Sequence, residues 1–304
     1  MVSTPRLRQV SSPGPHGVTL AVKEYGGHAA GVHVVLIHGF PDDQSMWTPV
    51  LEHLPQDWHL ITYDVRGAGG SSRPREVSAY RTDHLLTDFV AVVEATVPAD
   101  APVHVVAHDW GSIAGWDSVA AESSDPRLRG RIASYTSTSG PSLDHLGAIW
   151  AGPRGKRRLL RQVLHSWYVW LFQLPQLPEL TWRRAQQALR PLVRRIDPTI
   201  DTLAWGEQVA ANAVPSVNLY RANVLQRLRD PRPWRTGVPV RLLIATRDGF
   251  VTPRSVEGLQ ARCRQLSRVD IDDGHWWPRT QPSRCAAEIE NHISGRLRNL
   301  PPSR

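Results

Sequence analysis

The sequence predicts an α/β fold: a doubly wound, mostly parallel sheet with an inserted helical cap. Short apolar runs alternate with helical patterns in residues 1–140 and again in residues 235–304. Runs that are apolar throughout are typical of strands buried on both faces of a parallel sheet, and the helices between them would be its crossover connections. Residues 141–234 show helical periodicity without a strand-like run. We therefore expect two core segments separated by a cap.

The apolar runs and the turn residues between them predict the individual elements. Residues 1–16 are rich in proline and serine and are expected to form a loose lead-in. The predicted strands are 18–25 (a half-buried edge strand), 33–37, 59–63, 103–107, 131–136, 240–245 and 268–271. The predicted core helices are 42–54, 81–96, 111–122, one between the last two strands, and 281–293. In the cap, a helical stripe is predicted for Leu160, Val163, Leu164, Trp167 and Leu171.

The formal net charge of +8 comes from a bias toward arginine along the whole chain, since only two of the 36 basic residues are lysine. The densest basic cluster, residues 154–161, is predicted to be a solvated helix face because no nucleic-acid-binding motif surrounds it. No apolar run approaches the roughly 18 residues of a membrane span. Cys263 and Cys285 lack metal-ligand spacing and are expected to be reduced thiols. We expect a cytoplasmic protein with no membrane span, nucleic-acid partner, cofactor or metal.

A sharp turn at residues 107–112 (Ala-His-Asp-Trp-Gly-Ser) follows an apolar strand and precedes a helix. Small residues at 107 and 111 flank Asp109, as in a nucleophile elbow, where a strained turn pushes the central side chain out of the sheet. The positive end of the following helix favours an ionised carboxylate. Asp109 is therefore predicted to be a nucleophile. The alternative is an ordinary strand end in which Asp109 is the helix N-cap.

An ester formed on Asp109 needs a water molecule, a base and an acid for its hydrolysis. Asp248 follows the predicted strand 240–245, and His275 follows the strand 268–271. The order Asp109, Asp248, His275 matches the nucleophile-acid-histidine order of α/β hydrolases. Asp248 could instead belong to a plain turn, in which case Asp272 or Asp273 would orient His275.

The oxyanion hole of such a site uses the backbone N–H after the nucleophile and one from the loop after an early strand. These are the N–H groups of Trp110 and Phe40. Phe40 lies in a His-Gly-Phe-Pro stretch at 38–41, where glycine permits the turn and Pro41 stiffens it.

From about residue 33 to 293, the chain resembles the α/β-hydrolase-fold epoxide hydrolases. The similarity is carried by His-Gly-Phe-Pro at 38–41, Asp-Val-Arg-Gly-Ala-Gly-Gly-Ser at 64–71, His-Asp-Trp-Gly at 108–111 and Gly-His-Trp at 274–276. The chain is also similar to the hydrolase half of actinobacterial proteins that fuse such a domain to a short-chain dehydrogenase. The resemblance implies an Asp-His-Asp triad acting on a small apolar epoxide and water, with His38, Pro41 and Trp276 near the substrate.

In that family, two cap tyrosines donate hydrogen bonds to the epoxide oxygen. The cap of this chain holds two tyrosines, Tyr168 and Tyr220, in surroundings similar to the family's. The resemblance therefore assigns ring opening to these residues. The alternative for Tyr168 is packing on a helix face, since it follows Leu164 by four residues. Five cap tryptophans suggest an apolar pocket: Trp150, Trp167, Trp170, Trp182 and Trp205.

Two other functions remain compatible with the sequence. Haloalkane and haloacid dehalogenases share the aspartate nucleophile, but Phe40 stands where haloalkane dehalogenases usually carry an asparagine. Fluoroacetate dehalogenases favour arginine where this chain has Trp110. The other alternative is a ligand-binding protein on the same scaffold that does not catalyse a reaction.

Overall fold

The computed structural model describes residues 4–27, 30–202 and 207–297, and these form one eight-stranded sheet. The strands are β1 (Arg6–Ser12), β2 (Val18–Tyr25), β3 (His33–Ile37), β4 (His59–Tyr63), β5 (Val103–His108), β6 (Ile132–Thr138), β7 (Val240–Ala245) and β8 (Leu266–Ile271). Their order is β1-β2-β4-β3-β5-β6-β7-β8, and β2 is antiparallel to both of its neighbours. The six strands from β4 to β8 in this order are parallel, which confirms the predicted fold class.

Helices cover both faces of the sheet. The α-helices are α1 (Thr48–Leu51), α2 (Thr82–Thr96), α3 (Trp110–Ala121), α4 (Leu143–Ala151), α5 (Gly155–His165), α6 (Trp167–Phe172), α7 (Leu177–Ile196), α8 (Glu207–Arg229), α9 (Trp277–Thr280) and α10 (Pro282–Leu297). The core under α2 and α3 includes Val105, whereas the core under α1 and α10 includes the next residue, Val106. Alternate residues of one buried strand thus fill two separate cores, which explains why the central strands are apolar throughout.

The structure corrects three local predictions. Residues 6–12 form β1, which pairs with β2 and takes its place at the edge of the sheet. The predicted helix at 42–54 is a 3₁₀ turn, Gln44–Trp47, followed by the short α1, because Pro49 has no N–H to continue a longer helix. The predicted helix between β7 and β8 consists of two 3₁₀ turns, separated at Gly258, whose φ of +88° lies outside the helical region.

Helices α4 to α8 lie between β6 and β7, in the predicted cap region 141–234, which we call the cap. The structure divides the predicted stripe between α5, which ends at His165, and α6, which begins at Trp167, and exposes part of it. Leu159 and Gln162 are buried, whereas Leu160 and Leu164 are 57% and 66% exposed. The apolar spacing therefore marks a face of α5 that points away from the core.

No helix within the described residues is long and apolar enough to cross a membrane. Cys263 and Cys285 are buried and are not joined in a disulfide.

Candidate active site

The turn between β5 and α3 holds Asp109 in a conformation that few non-glycine residues adopt, with φ 52° and ψ −121°. Its carboxylate makes no helix-capping hydrogen bond. The turn also lies very close to β3, since a Cβ on Gly111 would lie 2.5 Å from the carbonyl oxygens of Ile37 and His38. This is the strained geometry of a nucleophile elbow rather than that of an ordinary N-cap.

Two backbone N–H groups stabilise this carboxylate. The N–H of Phe40 donates to Asp109 Oδ1 at 2.6 Å, and the N–H of Trp110 is also directed at the carboxylate. The loop can approach this closely because residue 39 is glycine, where a Cβ would lie only 2.3 Å from Asp109 Oδ1. The structure thus brings together both predicted oxyanion-hole donors.

Asp109 is buried, and burial raises its pKa to about 6. His275 and the N–H groups of Phe40 and Trp110 limit this rise because they stabilise the ionised form. The positive end of α3 was expected to favour the ionised carboxylate. Because the pKa rises, this effect must be smaller than the cost of removing the charge from water. At neutral pH the carboxylate is nevertheless ionised.

His275 and Asp248 approach Asp109 from the ends of β8 and β7. His275 Nδ1 lies 2.9 Å from Asp248 Oδ2, and His275 Nε2 lies 3.7 Å from Asp109 Oδ2. The other oxygen of Asp248 accepts hydrogen bonds from the N–H groups of Phe250 and Val251. Parallel strands end at one edge of the sheet, so residues far apart in sequence meet there.

The alternative acids lie elsewhere. Asp272 is 84% exposed and pairs with Arg247, whereas Asp273 accepts hydrogen bonds from Thr280 and Gln281. The carboxylate that contacts the His275 ring at hydrogen-bond distance is that of Asp248.

Burial opposes protonation of the His275 ring, but the carboxylates of Asp248 and Asp109 outweigh it and raise the pKa of His275 to about 9. In the resting site at neutral pH, His275 is therefore a cation between two carboxylates. An Nδ1–H that donates to Asp248 leaves the Nε2 edge facing Asp109.

Tyr168 on α6 and Tyr220 on α8 face this carboxylate from the cap. Their rings pack edge to face with centroids 5.9 Å apart, and the Tyr220 ring also contacts Trp110. Burial raises the pKa of both hydroxyls, and the charge of Asp109 raises them further, so both remain protonated donors. The Arg221 guanidinium donates to the carbonyl oxygen of Phe172 at 2.8 Å and thereby ties α8 to the end of α6.

Two apolar cavities meet at the site, and both are lined by Asp109, Tyr168, Tyr220 and Phe250. The first extends beneath α7 and includes Trp167 and Trp182 in its lining. The second includes Trp150 and Trp170 and has a volume of about 540 Å³, within the range of small-molecule sites. Trp205 lies outside the described residues.

Of the three other predicted substrate residues, Pro41 and Trp276 line the first cavity. His38 lines neither of the two cavities that reach Asp109. Its Nε2 accepts from the N–H of Val65, and its Nδ1 donates to the carbonyl oxygen of Gly39. The expectation for His38 is therefore corrected: both ring nitrogens are used in shaping the loop that carries Phe40.

Sequence reasoning missed Asp197, a fully buried carboxylate at the end of α7. Its Oδ2 accepts from the N–H of His275 at 2.6 Å and from the N–H of Gly249 at 3.2 Å. Its Oδ1 accepts from the N–H and hydroxyl of Thr199. One cap residue thus holds both loops that carry His275 and Asp248. No local signal marked it, because an aspartate at a helix end is common.

His108 was singled out only as part of a motif. It is buried, its ring lies 4.7 Å from that of His275, and its Nε2–H donates to the carbonyl oxygen of His275. Burial, together with the nearby His275 ring, lowers the pKa of His108 and keeps it neutral. This hydrogen bond therefore holds the backbone of His275 in place.

Within the residues that the structure describes, no cluster of three or more histidine, cysteine, aspartate or glutamate side chains could hold a metal ion.

The chain is similar to known proteins over most of its length. A family model described as the alpha/beta hydrolase fold matches residues 32–278. The probable oxidoreductase EphD of Mycobacterium tuberculosis is 36% identical over 291 residues, which cover 91% of this chain and 48% of that protein. The chain therefore spans about half the length of these EphD relatives. Epoxide hydrolase A of the same organism is 28% identical over 331 residues, covering 92% of this chain and 95% of that protein.

Solved structures show the same fold. An epoxide hydrolase from Bacillus megaterium, crystallised with an inhibitor, has a TM-score of 0.75 at 21% identity and covers 95% of this chain and 100% of its own. The mostly parallel eight-stranded sheet agrees with the match of the family model over residues 32–278. The chain belongs to the alpha/beta hydrolase fold family.

Proposed function

We propose that this protein is an epoxide hydrolase that forms and then hydrolyses an ester of Asp109. One observation carries the proposal: a single carboxylate accepts from the N–H of Phe40 at Oδ1, faces an imidazole at Oδ2 and lines an apolar cavity together with two phenols. Several relatives with this fold are named epoxide hydrolases, which supports the same chemistry here.

In the first step, Asp109 Oδ2 attacks one carbon of the epoxide and the carbon–oxygen bond breaks. The epoxide oxygen takes a proton from Tyr168 or Tyr220. A phenol suits this task because a nascent alkoxide is more basic than a phenolate. Burial prevents either tyrosine from ionising beforehand, so both hydroxyls are available as donors.

In the second step, water attacks the ester carbon of Asp109 and His275 Nε2 takes the proton. Negative charge develops on Asp109 Oδ1, where the N–H groups of Phe40 and Trp110 stabilise it. The tetrahedral intermediate then breaks its bond to the product oxygen, which takes the remaining proton of the attacking water, so that a diol leaves and the carboxylate is restored. The tyrosinate formed in the first step has by then regained its proton from the resting His275 cation, and the proton taken from water makes His275 that cation again.

The resting charges support this order of steps. The carboxylates of Asp248, Asp109 and Asp197 raise the pKa of His275 to about 9, so His275 is a cation and a poor base at the start. Ester formation removes the charge of Asp109, and one of the carboxylates that raise the pKa of His275 is lost. His275 therefore becomes a better base only after the ester has formed.

The apolar linings of both cavities support an apolar epoxide as substrate. One turnover in heavy-oxygen water tests the mechanism, with styrene oxide as the probe. Attack of water on the Asp109 ester places the heavy oxygen in the peptide containing Asp109, and the first diol is unlabelled. Label in the first diol and none in the peptide would mean that water opens the ring directly, and the proposal would be wrong.

A further inference from the structure

The cap carries a net charge as large as that of the whole chain. Residues 141–234 contain 14 basic and 6 acidic residues, a net charge of +8, whereas the rest of the chain has 22 of each. Residues 1–140 contain 10 basic and 15 acidic residues and residues 235–304 contain 12 and 7, so the charges of the two core segments cancel only when they are taken together. Such an asymmetry favours binding to an anionic surface.

Several cations of the cap also lack acidic partners. Asp201 pairs with Arg190 and Arg194, and Glu179 pairs with Arg221. In the part of the chain that the structure describes, no ion pair is found for Arg154, Lys156, Arg157 or Arg161, all of which are exposed. These four residues therefore present uncompensated positive charge to solvent.

Exposed apolar side chains lie beside this charge. Six of them between residues 160 and 177 are at least 42% exposed, and we call them the cap patch: Leu160, Leu164, Trp167, Trp170, Leu174 and Leu177. On α5, Arg157, Leu160, Arg161 and Leu164 share one face because they are three or four residues apart. Large apolar side chains exposed together mark an interaction surface rather than ordinary surface scatter.

The cap patch continues into the candidate active site. Trp167 lines the first cavity and Trp170 lines the second, and both cavities extend to Asp109. An apolar path thus connects the exposed tryptophans of α6 with the candidate nucleophile. A molecule that binds the patch would therefore touch a lining residue of each cavity.

We propose that the cap patch docks on the surface of an anionic phospholipid membrane. Such a membrane offers phosphate groups to the arginines and, a few ångströms deeper, hydrocarbon to the leucines and tryptophans. A nucleic acid would match the charge but offers nothing to aliphatic leucines. A second copy of the chain would bring two arginine-rich faces together. Docking would let apolar substrates pass from the bilayer to Asp109 without crossing water.

Sedimentation with vesicles tests this proposal without any epoxide, so its outcome is independent of the proposed hydrolysis. The full chain should bind vesicles of phosphatidylcholine mixed with phosphatidylglycerol, and binding should weaken as salt screens the charges. It should not bind vesicles of phosphatidylcholine alone. Lipids brominated in the acyl chain should quench tryptophan fluorescence, because the cap patch carries Trp167 and Trp170.

Two double variants separate charge from apolar contact. Arg157→Gln with Arg161→Gln should weaken binding about 25-fold, since each cation near an anionic surface contributes roughly fivefold. Leu160→Ser with Leu164→Ser should weaken it at least tenfold and remove the quenching by brominated lipid. The matched controls are Arg264→Gln and Leu7→Ser, which are exposed on the core and should bind as the unaltered protein does. None of these residues lines a cavity at Asp109, so hydrolysis of a dissolved epoxide should be unchanged.

Three results would overturn the proposal. The first is no binding to anionic vesicles. The second is binding that the control variants reduce as much as the cap variants do, because net charge alone would then explain it. The third is tight binding of duplex DNA, or self-association lost in the leucine variant, without binding to vesicles.

Discussion

Nε2 of His275 lies 3.7 Å from Oδ2 of Asp109, beyond the range of a direct hydrogen bond but close enough for each charge to shift the pKa of the other. The pKa is about 6 for Asp109 and about 9 for His275. At neutral pH, the two groups therefore form an ion pair. Because ester formation removes one charge of this pair, the two half-reactions should respond differently to pH.

Formation of the ester should fail in mildly acidic solution. Burial raises the pKa of Asp109 to about 6, so the nucleophile is protonated at a higher pH than an ordinary aspartate would be. We expect the rate of ester formation to fall about tenfold per pH unit below this value. Rapid-mixing measurements of tryptophan fluorescence can follow this step. A rate that stays constant down to pH 4 would contradict the assignment of Asp109 as the nucleophile.

Hydrolysis of the ester should instead require a neutral His275. His275→Ala should form the ester and then stall, with hydrolysis slowed by about 100-fold to 10,000-fold. The experiment is best done at pH 8, because loss of the imidazole cation should raise the pKa of Asp109 further. Mass spectrometry of the intact protein should show a stable adduct. A variant that neither forms the adduct nor turns over would count against the separate roles of the two residues.

The two cap tyrosines should act in ring opening. Tyr168→Phe and Tyr220→Phe should each slow ester formation, and the double variant should slow it at least 100-fold, because no hydroxyl remains to protonate the alkoxide. Tyr80→Phe is the matched control, since Tyr80 is also buried but donates to the carbonyl oxygen of Pro74. Normal ester formation in the double variant would refute the assignment.

Much of the candidate site could be predicted because its residues lie in the turns that follow predicted strands. Asp109, Asp248 and His275 come after β5, β7 and β8, and a parallel sheet brings the ends of these strands together. The backbone donors could be predicted for the same reason. Local sequence was enough to find the strand ends, because the parallel sheet then places those ends side by side.

Other features depend on contacts that no local pattern encodes. Asp197 bonds to the backbone of His275, 78 residues away, so its role appears only when the cap is folded onto the core. β1 was not predicted because only its last residues are buried, so its sequence shows no regular alternation of apolar and polar residues. Its place in the sheet depends on pairing with β2. Spacing placed Leu160 and Leu164 on one helix face, but spacing cannot determine whether that face points inward.

Acid should destabilise the fold through its buried histidines. Burial lowers the pKa of His104 to about 4, and the neighbouring His33 contributes to this. Because the unfolded chain takes up this proton near its ordinary pKa of 6.5, stability is lost as the pH falls from 6.5 toward 4. For His104 alone, the free energy of unfolding should fall by about 2 kcal/mol between pH 7 and 5.

Urea titrations of His104→Gln at several pH values check this expectation. The amide can keep a hydrogen bond to Ser134 but cannot be protonated, so the variant should lose less stability in acid than the unaltered protein does. His53→Gln is the control, because His53 is exposed and should leave the pH dependence unchanged. Equal acid sensitivity in His104→Gln and the unaltered protein would show that His104 does not cause the effect.

Asp197 should be a positioning residue for His275. In Asp197→Asn, an amide group would replace one of the carboxylate oxygens that accept from His275, Gly249 and Thr199. Loss of a buried charge-assisted hydrogen bond should lower the free energy of unfolding by about 1–3 kcal/mol. The negative charge of Asp197 also helps to raise the pKa of His275, so hydrolysis of the ester should reach half its maximal rate at a lower pH in the variant.

The pH profile distinguishes this role from simple scaffolding. Asp201→Asn is the matched control, since Asp201 lies four residues further along and pairs with Arg190 and Arg194 on the surface. The control should keep both stability and pH profile, because exposed pairs contribute little. If Asp197→Asn lost stability but hydrolysed the ester with an unchanged pH profile, Asp197 would only hold the cap on the core. A shifted profile with intact folding would instead mean that a cap residue sets the basicity of His275.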